Sequence, residues 1–366
     1  MFRNRSSNPN NYLNLLFLRW TDIHCRFRWV SCQLDALKKC VKPANALRQL
    51  ENLPKDLEET YTRILQKVPS ENEVELRSIL MLLCFSTRPM TIQEVAEATA
   101  VNLEAQIFSQ DERFGDPYDM LALCSSLVSF TDVGADSALR KEKLSQFNWD
   151  KSIKIVHFAH FSVKEYILSD RAAKHIPDSL FINESCSQKY LAEMCLIYLL
   201  DFNDGDLATE VDHNEFPFLA YAALHWTSHL TLIHDNDREA VSKLLLRLFD
   251  PDHPGSLMNY LNLYDPVSRW NVIDRRRADN GPSRTINFGT KYRNKVDFQT
   301  PLYYANLYGL DSVVESLFGR MTGSQSQKAD ELGTALEAAA SSGNDELVER
   351  LLAEGVSCRI SRTSLL

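Results

Sequence analysis

The sequence predicts a mainly α-helical protein, made of a helical bundle, a winged helix with a small β-hairpin, a helical connector and C-terminal ankyrin repeats. Three observations indicate this fold class. Apolar residues recur at helical spacing over most of the chain. One segment follows the order helix, helix, helix, strand, loop, strand. The last part of the chain repeats itself with an offset of 34 residues.

Length and composition are those of a globular protein with several domains. The chain has 366 residues, of which 44% are hydrophobic and 24% are charged. Its net charge of −9 argues against a polyanion-binding surface over the whole molecule. No apolar run reaches the ~18 residues of a membrane helix. Because the eight cysteines form no CxxC pair, we expect free thiols, no metal site and a cytoplasmic protein.

The first module is predicted at residues 28–72, after an irregular tail at residues 1–27. Four apolar residues recur at helical spacing before Pro43, namely Trp29, Cys32, Ala36 and Leu37. The stretch "NLPKDLEETYTRILQKV" gives a further amphipathic helix, with Asn52 as its expected N-cap.

The winged helix is predicted at residues 73–172. After a first helix, Thr91 and Glu94 have the spacing of a capping box at the start of a second. The stretch "YDMLALCSSLVSF" predicts a third helix that runs into a strand, and "IKIVHFAHF" alternates as a second strand should. Residues 133–152 between the two strands would form an enlarged wing.

The stretch "VHFAHFSVKEYILSD" contains the residue types of a serine hydrolase. However, a nucleophile elbow needs glycines beside the serine, and Ser162 has none. His157 and His160 are three apart on a strand, so they are expected on opposite faces. We therefore predict that Ser162 caps the following helix and that Glu165 completes a capping box. A hydrolase built on Ser162 is the least favoured alternative.

Neither a phosphate-binding loop nor a DNA-reading helix is encoded in the sequence. The first glycine is Gly115, and no Gly-Lys-Ser/Thr sequence occurs, so we expect no nucleotide or other cofactor in this chain. From Phe114 through Leu139 there is no Lys or Arg, which disfavours DNA binding by the third helix.

Residues 173–266 are predicted to be helical, with helices at about 184–201, 215–232 and 236–249. Residues 267–296 read as a basic linker, because eight Lys or Arg stand against two Asp over residues 268–295. A solvated linker is the preferred interpretation of this segment. The alternative is that it binds anions, nucleic acid or a partner.

Residues 297–366 are predicted to form about two ankyrin repeats. The stretches "TPLYYANLYGLDSVVESLF" and "TALEAAASSGNDELVERLLAEG" agree at five positions in one register. The matched pairs are Thr300 and Thr334, Leu302 and Leu336, Ala305 and Ala339, Gly309 and Gly343, and Leu317 and Leu351. An offset of 34 is close to the ankyrin period of about 33. Each unit predicts a threonine-led turn, a short helix ended by glycine, and a second helix.

The repeats supply the candidate partner-binding residues, because such stacks present exposed side chains on a rigid support. The candidates are Tyr303, Tyr304, Asn306 and Tyr308 in the first unit, and Glu337, Ser341, Ser342 and Asn344 in the second. For the tyrosines, packing against the preceding helical region is an equally weighted alternative.

Five stretches together resemble the C-terminal part of fungal NACHT–ankyrin proteins, which are NLR-like STAND ATPases. They are "FRWVSCQLDALKKC", "LPKDLEETYTRIL", "DMLALCSSLVSF", "HFSVKEYILSDR" and "LAYAALHWTSHL". The resemblance places the first two at the end of the NACHT module and the next two in a winged helix of the GPI inositol-deacylase type. It implies a signalling role, with the NACHT as nucleotide switch and the ankyrin repeats as sensor. The Walker motifs of that family are missing from this sequence, so ATPase activity is not carried over.

We therefore predict a non-enzymatic protein that binds other proteins through its ankyrin repeats within an NLR-like signalling system. Two alternatives stay open. The chain could be part of a nucleotide-dependent switch whose P-loop lies outside it, or it could bind nucleic acid through residues 268–295. No membrane association is expected.

Overall fold

The computed structural model describes residues 27–124, 126–133, 153–202, 210–212, 215–234, 237–264, 266, 285–287, 299–320 and 325–353. These residues form two compact units. The first contains the described parts of residues 27–92, 115–132 and 154–183. The second contains those of residues 93–114, 133–153 and 184–353.

The described elements are mostly helices, as the periodicity predicts. The helices are α1 (27–38), α2 (Pro43–Glu51), α3 (Leu57–Leu65), α4 (Glu73–Phe85), α5 (Ile92–Ala98), α6 (Met120–Cys124), α7 (Phe161–Ile167), α8 (Asp170–His175), α9 (Glu184–Asp201), α10 (Leu219–Thr231), α11 (Arg238–Leu248), α12 (Gly255–Leu263), α13 (Pro301–Leu307), α14 (Asp311–Arg320), α15 (Gln325–Ser342) and α16 (Asp345–Ala353). The strands are β1 (Met90–Thr91), β2 (Val101–Asn102), β3 (Ile107–Phe108), β4 (Val128–Val133), β5 (Ile153–Phe158), β6 (Glu210–Asp212) and β7 (Thr285–Asn287).

The sheet of the first unit has the order β1-β5-β4, so β5 is the central strand. Strand β1 pairs antiparallel with β5, with Met90 opposite Val156 and Thr91 opposite Ile155. The two strands predicted around the wing are therefore present and adjacent. Their inward side chains join the core that α3 and α4 supply, which includes the fully buried Tyr61 and Ile79.

Helix α3 begins later than its sequence suggests. Its N-cap is Asp56 and not the predicted Asn52, and the Asp56 carboxylate accepts a hydrogen bond from the Glu59 amide at 2.7 Å. The Glu59 carboxylate in turn accepts a hydrogen bond at 2.8 Å from the amide of Lys55, the residue before the N-cap, so the arrangement resembles a capping box shifted by one residue. The helix starts here because Leu57, immediately after the cap, is the first residue of its buried face.

Helix α7 shows the opposite error, because it begins two residues earlier than predicted. His160 is its N-cap in an extended conformation, and the Nδ1 atom accepts a hydrogen bond from the Ser162 amide at 3.3 Å. The prediction that Ser162 is the cap is therefore wrong, since Ser162 lies inside the first turn. Glu165 is exposed on the same helix. Helix α5 begins directly after Thr91, and Thr91 and Glu94 are both buried, while their capping box stays a prediction.

The second unit is organised around α9, which is buried along most of its length. The three helices predicted in this region correspond to α9, α10 and α11. The hairpin of β2 and β3 and helices α10, α11 and α12 all pack against α9. Strand β6 pairs antiparallel with β7, with Val211 opposite Ile286. Strand β7 is the only part of the basic segment 268–295 within the described residues.

Helices α13 to α16 form two helix pairs in the register that the repeat predicts. Gly309 and Gly343 follow the first helix of each pair with φ values of +64° and +72°, a conformation that favours glycine. Thr300 is the N-cap of α13 and accepts a hydrogen bond from the Tyr303 amide at 3.2 Å. Thr334 does not lead a turn as predicted. It lies inside α15, which already begins at Gln325.

Several sequence predictions concern segments outside the described residues. These are the tail at 1–26, the wing at 134–152, most of the basic linker at 267–296, and residues 354–366. Among the described helices, none combines the length and the apolar character that crossing a membrane requires.

Candidate functional site

The first helix pair uses its predicted partner-binding residues mainly for packing. Tyr304 and Asn306 are fully buried, and the Asn306 amide donates to the Leu302 carbonyl at 2.7 Å. The Tyr303 ring meets the Tyr304 ring edge to face at 5.5 Å. Of these side chains only Tyr303, which is half-buried, retains accessible surface for a partner on the outer part of α13.

Tyr308 belongs to an aromatic junction between α13 and the preceding helices. Its hydroxyl lies 2.6 Å from that of Tyr260 on α12, and its ring lies 5.3 Å from Trp226 on α10. Burial and the neighbouring Tyr260 raise the pKa of the Tyr308 hydroxyl, so it stays neutral. The junction corresponds to the alternative that the sequence left open for the tyrosines, packing against the helical region.

The second helix pair presents more polar surface. Ser341 is exposed and donates to the Glu337 carbonyl at 2.7 Å, while Glu337 is half-buried. Asn344 caps α16 by accepting from the Leu347 amide at 3.1 Å. The Ser342 side chain lies outside the described side chains. Glu337 and Ser341, one helical turn apart on α15, therefore form the accessible part of the predicted site.

A cleft of about 890 Å³ lies in the first unit, and the sequence analysis did not identify it. Its walls come from α1, α2, α3 and the residues around α6. Four cations line it, namely Lys39, Arg48, Arg63 and Lys67, against the single acid Asp35. Arg63 is held by Glu59, whose carboxylate lies 2.6 Å from its guanidinium. A sequence signal did exist, since residues 36–50 contain four Lys or Arg and no Asp or Glu.

Of the two histidines, only His160 lies beside Ser162, in line with the expectation that His157 and His160 do not both contact this serine. The Ser162 hydroxyl lies 2.7 Å from His160 Nδ1 and 2.9 Å from the Tyr61 hydroxyl on α3. His157 is turned elsewhere and lies 2.7 Å from the Thr131 hydroxyl. Ser162 does not line the cleft. Since its hydroxyl bridges α3 and the start of α7, a role in holding the two helices together accounts for its geometry.

A second contact of the same kind involves the next residue on α3 and the residue one turn further along α7. The Thr62 hydroxyl is 2.5 Å from that of Tyr166, and the Tyr61 and Tyr166 rings are 5.7 Å apart. The α3–α7 contact thus combines aromatic packing with two hydroxyl pairs. This repeated arrangement supports a structural role for the Ser162 network.

The second unit contains a buried ion pair. The Glu97 carboxylate lies 2.5 Å from the Arg113 guanidinium and accepts from the Tyr198 hydroxyl at 2.6 Å. Arg113 also stacks on Phe108 and Phe216, with 5.2 Å to each ring centre. Burial raises the pKa of the Glu97 carboxyl, and the bonds from Arg113 and Tyr198 oppose this rise. The cluster ties α5 and the β2–β3 hairpin to α9.

A fully buried histidine lies on α10 of the same unit. His229 Nδ1 is 2.7 Å from the Gln188 carbonyl oxygen, and Nε2 is 2.9 Å from the Tyr221 hydroxyl. Gln188 can only accept there, so Nδ1 carries the proton and Nε2 accepts from Tyr221. Burial lowers the pKa of His229 to about 4. The imidazole is therefore neutral at physiological pH.

The described residues contain no group of three or more His, Cys, Asp or Glu side chains arranged to hold a metal ion. The cation-lined cleft and the surface of α15 are the two places that the proposals of function below use.

Comparisons with known proteins bear on the winged helix region and on the length of the chain. The chain is 31% identical over 322 residues to "Azaphilone pigments biosynthesis cluster protein L" from Monascus ruber. The match covers 84% of this chain and 60% of that protein, so the chain spans about 60% of the length of the curated relative it matches. No solved structure matches the chain. Residues 65–177 match the family described as "GPI inositol-deacylase, winged helix domain", and this part of the chain is a winged helix domain of that type.

Proposed function

We propose that this chain is a non-enzymatic module that binds other proteins within an NLR-like, NACHT-associated signalling system. In this proposal α13 to α16 are two ankyrin repeats, and α15 carries the binding surface. The winged helix domain at residues 65–177 supports the NACHT association, because it is the domain that the resemblance assigns next to a NACHT module.

The observation that carries the proposal is the polar surface of α15 on a stacked support. Its inner side chains, among them Ala335 and Ala339, are fully buried, whereas Glu337 and Ser341 on the other side remain accessible. The stack is braced by Arg350 on α16, whose guanidinium binds the Glu315 carboxylate on α14 at 2.9 Å. A preorganised surface loses little conformational entropy when it binds a partner.

Site-specific crosslinking tests this binding surface. A photoreactive amino acid replaces Ser341, and in a control variant it replaces Glu239, which is exposed on α11. In an extract of the cells that encode the protein, we expect a discrete crosslinked species from position 341 and not from position 239. Equal crosslinking from both positions, or ATP or ester turnover by the purified chain above the buffer rate, would contradict the proposal.

A nucleotide-dependent switch is the second candidate, and the cation-lined cleft favours it. Arg48 and Lys67 have no ion-pair partner among the described residues, and cations in a concave site suit phosphate groups. In this version the P-loop belongs to a longer protein and the cleft contacts only part of the nucleotide. Fluorescent ADP should then bind the chain and bind the Lys67→Glu variant more weakly. Lys243→Glu, with its charge on α11, is the matched control, and equal loss in both variants would refute this candidate.

A further inference from the structure

Helix α2 has an apolar face that nothing in the described residues covers. None of its nine residues is buried. Its apolar side chains nevertheless share one side, at the spacing i, i+3, i+4 and i+7, namely Pro43, Ala46, Leu47 and Leu50. We call these four residues the α2 face. Leu47 is 62% exposed and Leu50 is 49% exposed.

A helix of this kind needs a partner. A nine-residue helix is marginal in water on its own, since most helical stability in proteins comes from packing of the apolar face. The preceding helix α1 shows a similar stripe, in which Phe27, Val30 and Leu34 are exposed at spacing i, i+3 and i+7. Exposed apolar residues concentrated on two consecutive helices indicate an interaction surface.

The charges around the α2 face indicate which kind of partner it can bind. Residues 35–51 contain Lys38, Lys39, Lys42 and Arg48 against Asp35 and Glu51, which leaves a net charge of +2 although the whole chain has −9. Lys38 is paired with Asp35 at 3.5 Å. The rim of the α2 face is therefore basic, and a partner with acidic residues beside its apolar ones is complementary to it.

The same charges disfavour two other possible occupants of the α2 face, namely residues 1–26 of this chain and a second copy of the chain. Residues 1–26 of this chain contain four arginines and one aspartate, which gives +3, the same sign as the rim. A second copy packed symmetrically would bring two such positively charged rims together. Like charges facing each other oppose both arrangements.

We propose that the α2 face docks an acidic amphipathic helix of another protein. The leucines of that helix cover Leu47 and Leu50, and its flanking carboxylates pair with Lys42 and Arg48. The helix-in-groove mode has this pattern of apolar anchors at i, i+3, i+4 and i+7. The surface is separate from α15, so the inference stands or falls independently of the proposed function.

Synthetic peptides provide the test. The probe is a labelled amphipathic peptide of about 18 residues with a leucine stripe and glutamates on the other positions. A second peptide has the same leucines with lysines in place of the glutamates. Both are titrated into the full chain, into the double variant Leu47→Ser/Leu50→Ser, and into the control Leu232→Ser. Leu232 is 54% exposed but lies at the end of α10 in the second unit.

We expect the glutamate peptide to bind the wild-type chain, with weaker binding at high salt. The double variant should bind it at least about tenfold more weakly, and Leu232→Ser should bind it as the wild type does. Because Leu47 and Leu50 are exposed, the double variant should keep the circular dichroism and melting temperature of the wild type.

Three results would overturn the proposal. The first is absence of glutamate-peptide binding, or lysine-peptide binding of equal strength. The second is a wild-type dimer that Leu47→Ser/Leu50→Ser converts to a monomer, which identifies a second copy as the occupant. The third is peptide binding that appears only after deletion of residues 1–26, which identifies that segment as the occupant.

Discussion

Acidification is expected to destabilise the second unit through His229. The imidazole is fully buried and hydrogen-bonded on both nitrogens as a neutral ring, so a proton on Nε2 would displace the Tyr221 hydrogen bond and leave a buried charge. Burial lowers the pKa of His229 to about 4 in the folded chain, from an ordinary value of 6.5. Between these two values the unfolded chain binds the proton and the folded chain does not.

The sign and size of the effect follow from linkage. Stability is lost as the pH falls from 6.5 towards about 4, because the unfolded state binds more protons in this range. The two pKa values differ by about 2.5, and each pH unit corresponds to about 1.4 kcal/mol, so the loss approaches about 3 kcal/mol. Above pH 6.5 the contribution of His229 should be constant.

Urea unfolding between about pH 4 and pH 7.5 measures this contribution when wild type and His229→Gln are compared. Carboxylates titrate in part of the same range, so the informative quantity is the difference between the two pH profiles. We expect His229→Gln to flatten the profile by up to about 3 kcal/mol relative to wild type. Parallel profiles for wild type and His229→Gln would refute the assignment of a buried neutral imidazole.

Three further predictions concern stability and are measured by denaturant unfolding. Arg113→Leu should lower the free energy of unfolding by about 3 kcal/mol, because it leaves the buried Glu97 carboxylate without its cation. A loss below about 1 kcal/mol would show that water reaches the carboxylate. Gly343→Ala should lower the free energy of unfolding by about 1 kcal/mol, because the φ of Gly343 is +72°. Gly319→Ala, inside α14, should leave the free energy of unfolding unchanged or raise it. Equal losses in the two variants would contradict the argument from backbone conformation. Tyr308→Phe should cost about 1 kcal/mol through the lost hydroxyl contact, and an unchanged midpoint would refute that contact.

Element type could be predicted from the sequence more reliably than element ends. The 3.6-residue and 2-residue periods identified α3, α4, β4, β5 and α9 to α11, because both depend on which side chains face the core. The caps predicted at Asn52 and Ser162 are wrong because more than one polar residue precedes each of these two helices, and the apolar face decides where the helix starts. Asp56 adjoins Leu57, and His160 adopts the extended conformation that a cap requires.

The sites were harder to predict for a physical reason. The position of Tyr308 within a repeat suggests exposure, but its side chain contacts Trp226 on α10 and Tyr260 on α12, which are distant in sequence. The pairing of Glu97 with Arg113 and Tyr198 likewise depends on contacts across the fold. The cation-lined cleft is formed by four segments, so the run of cations at residues 36–50 indicates the charge of the cleft but not its concave shape.

The aromatic junction determines at which end of the α13 to α16 stack a further helix pair can be added. At its α13 end, Tyr308 is joined to Tyr260 and Trp226, so a helix pair inserted there would have to break a hydrogen bond and open an aromatic contact. At the other end Leu352 on α16 is 53% exposed, and a helix pair added there would bury it. Gains and losses of helix pairs during evolution should therefore accumulate on the α16 side, where they leave the aromatic junction with α10 and α12 unchanged.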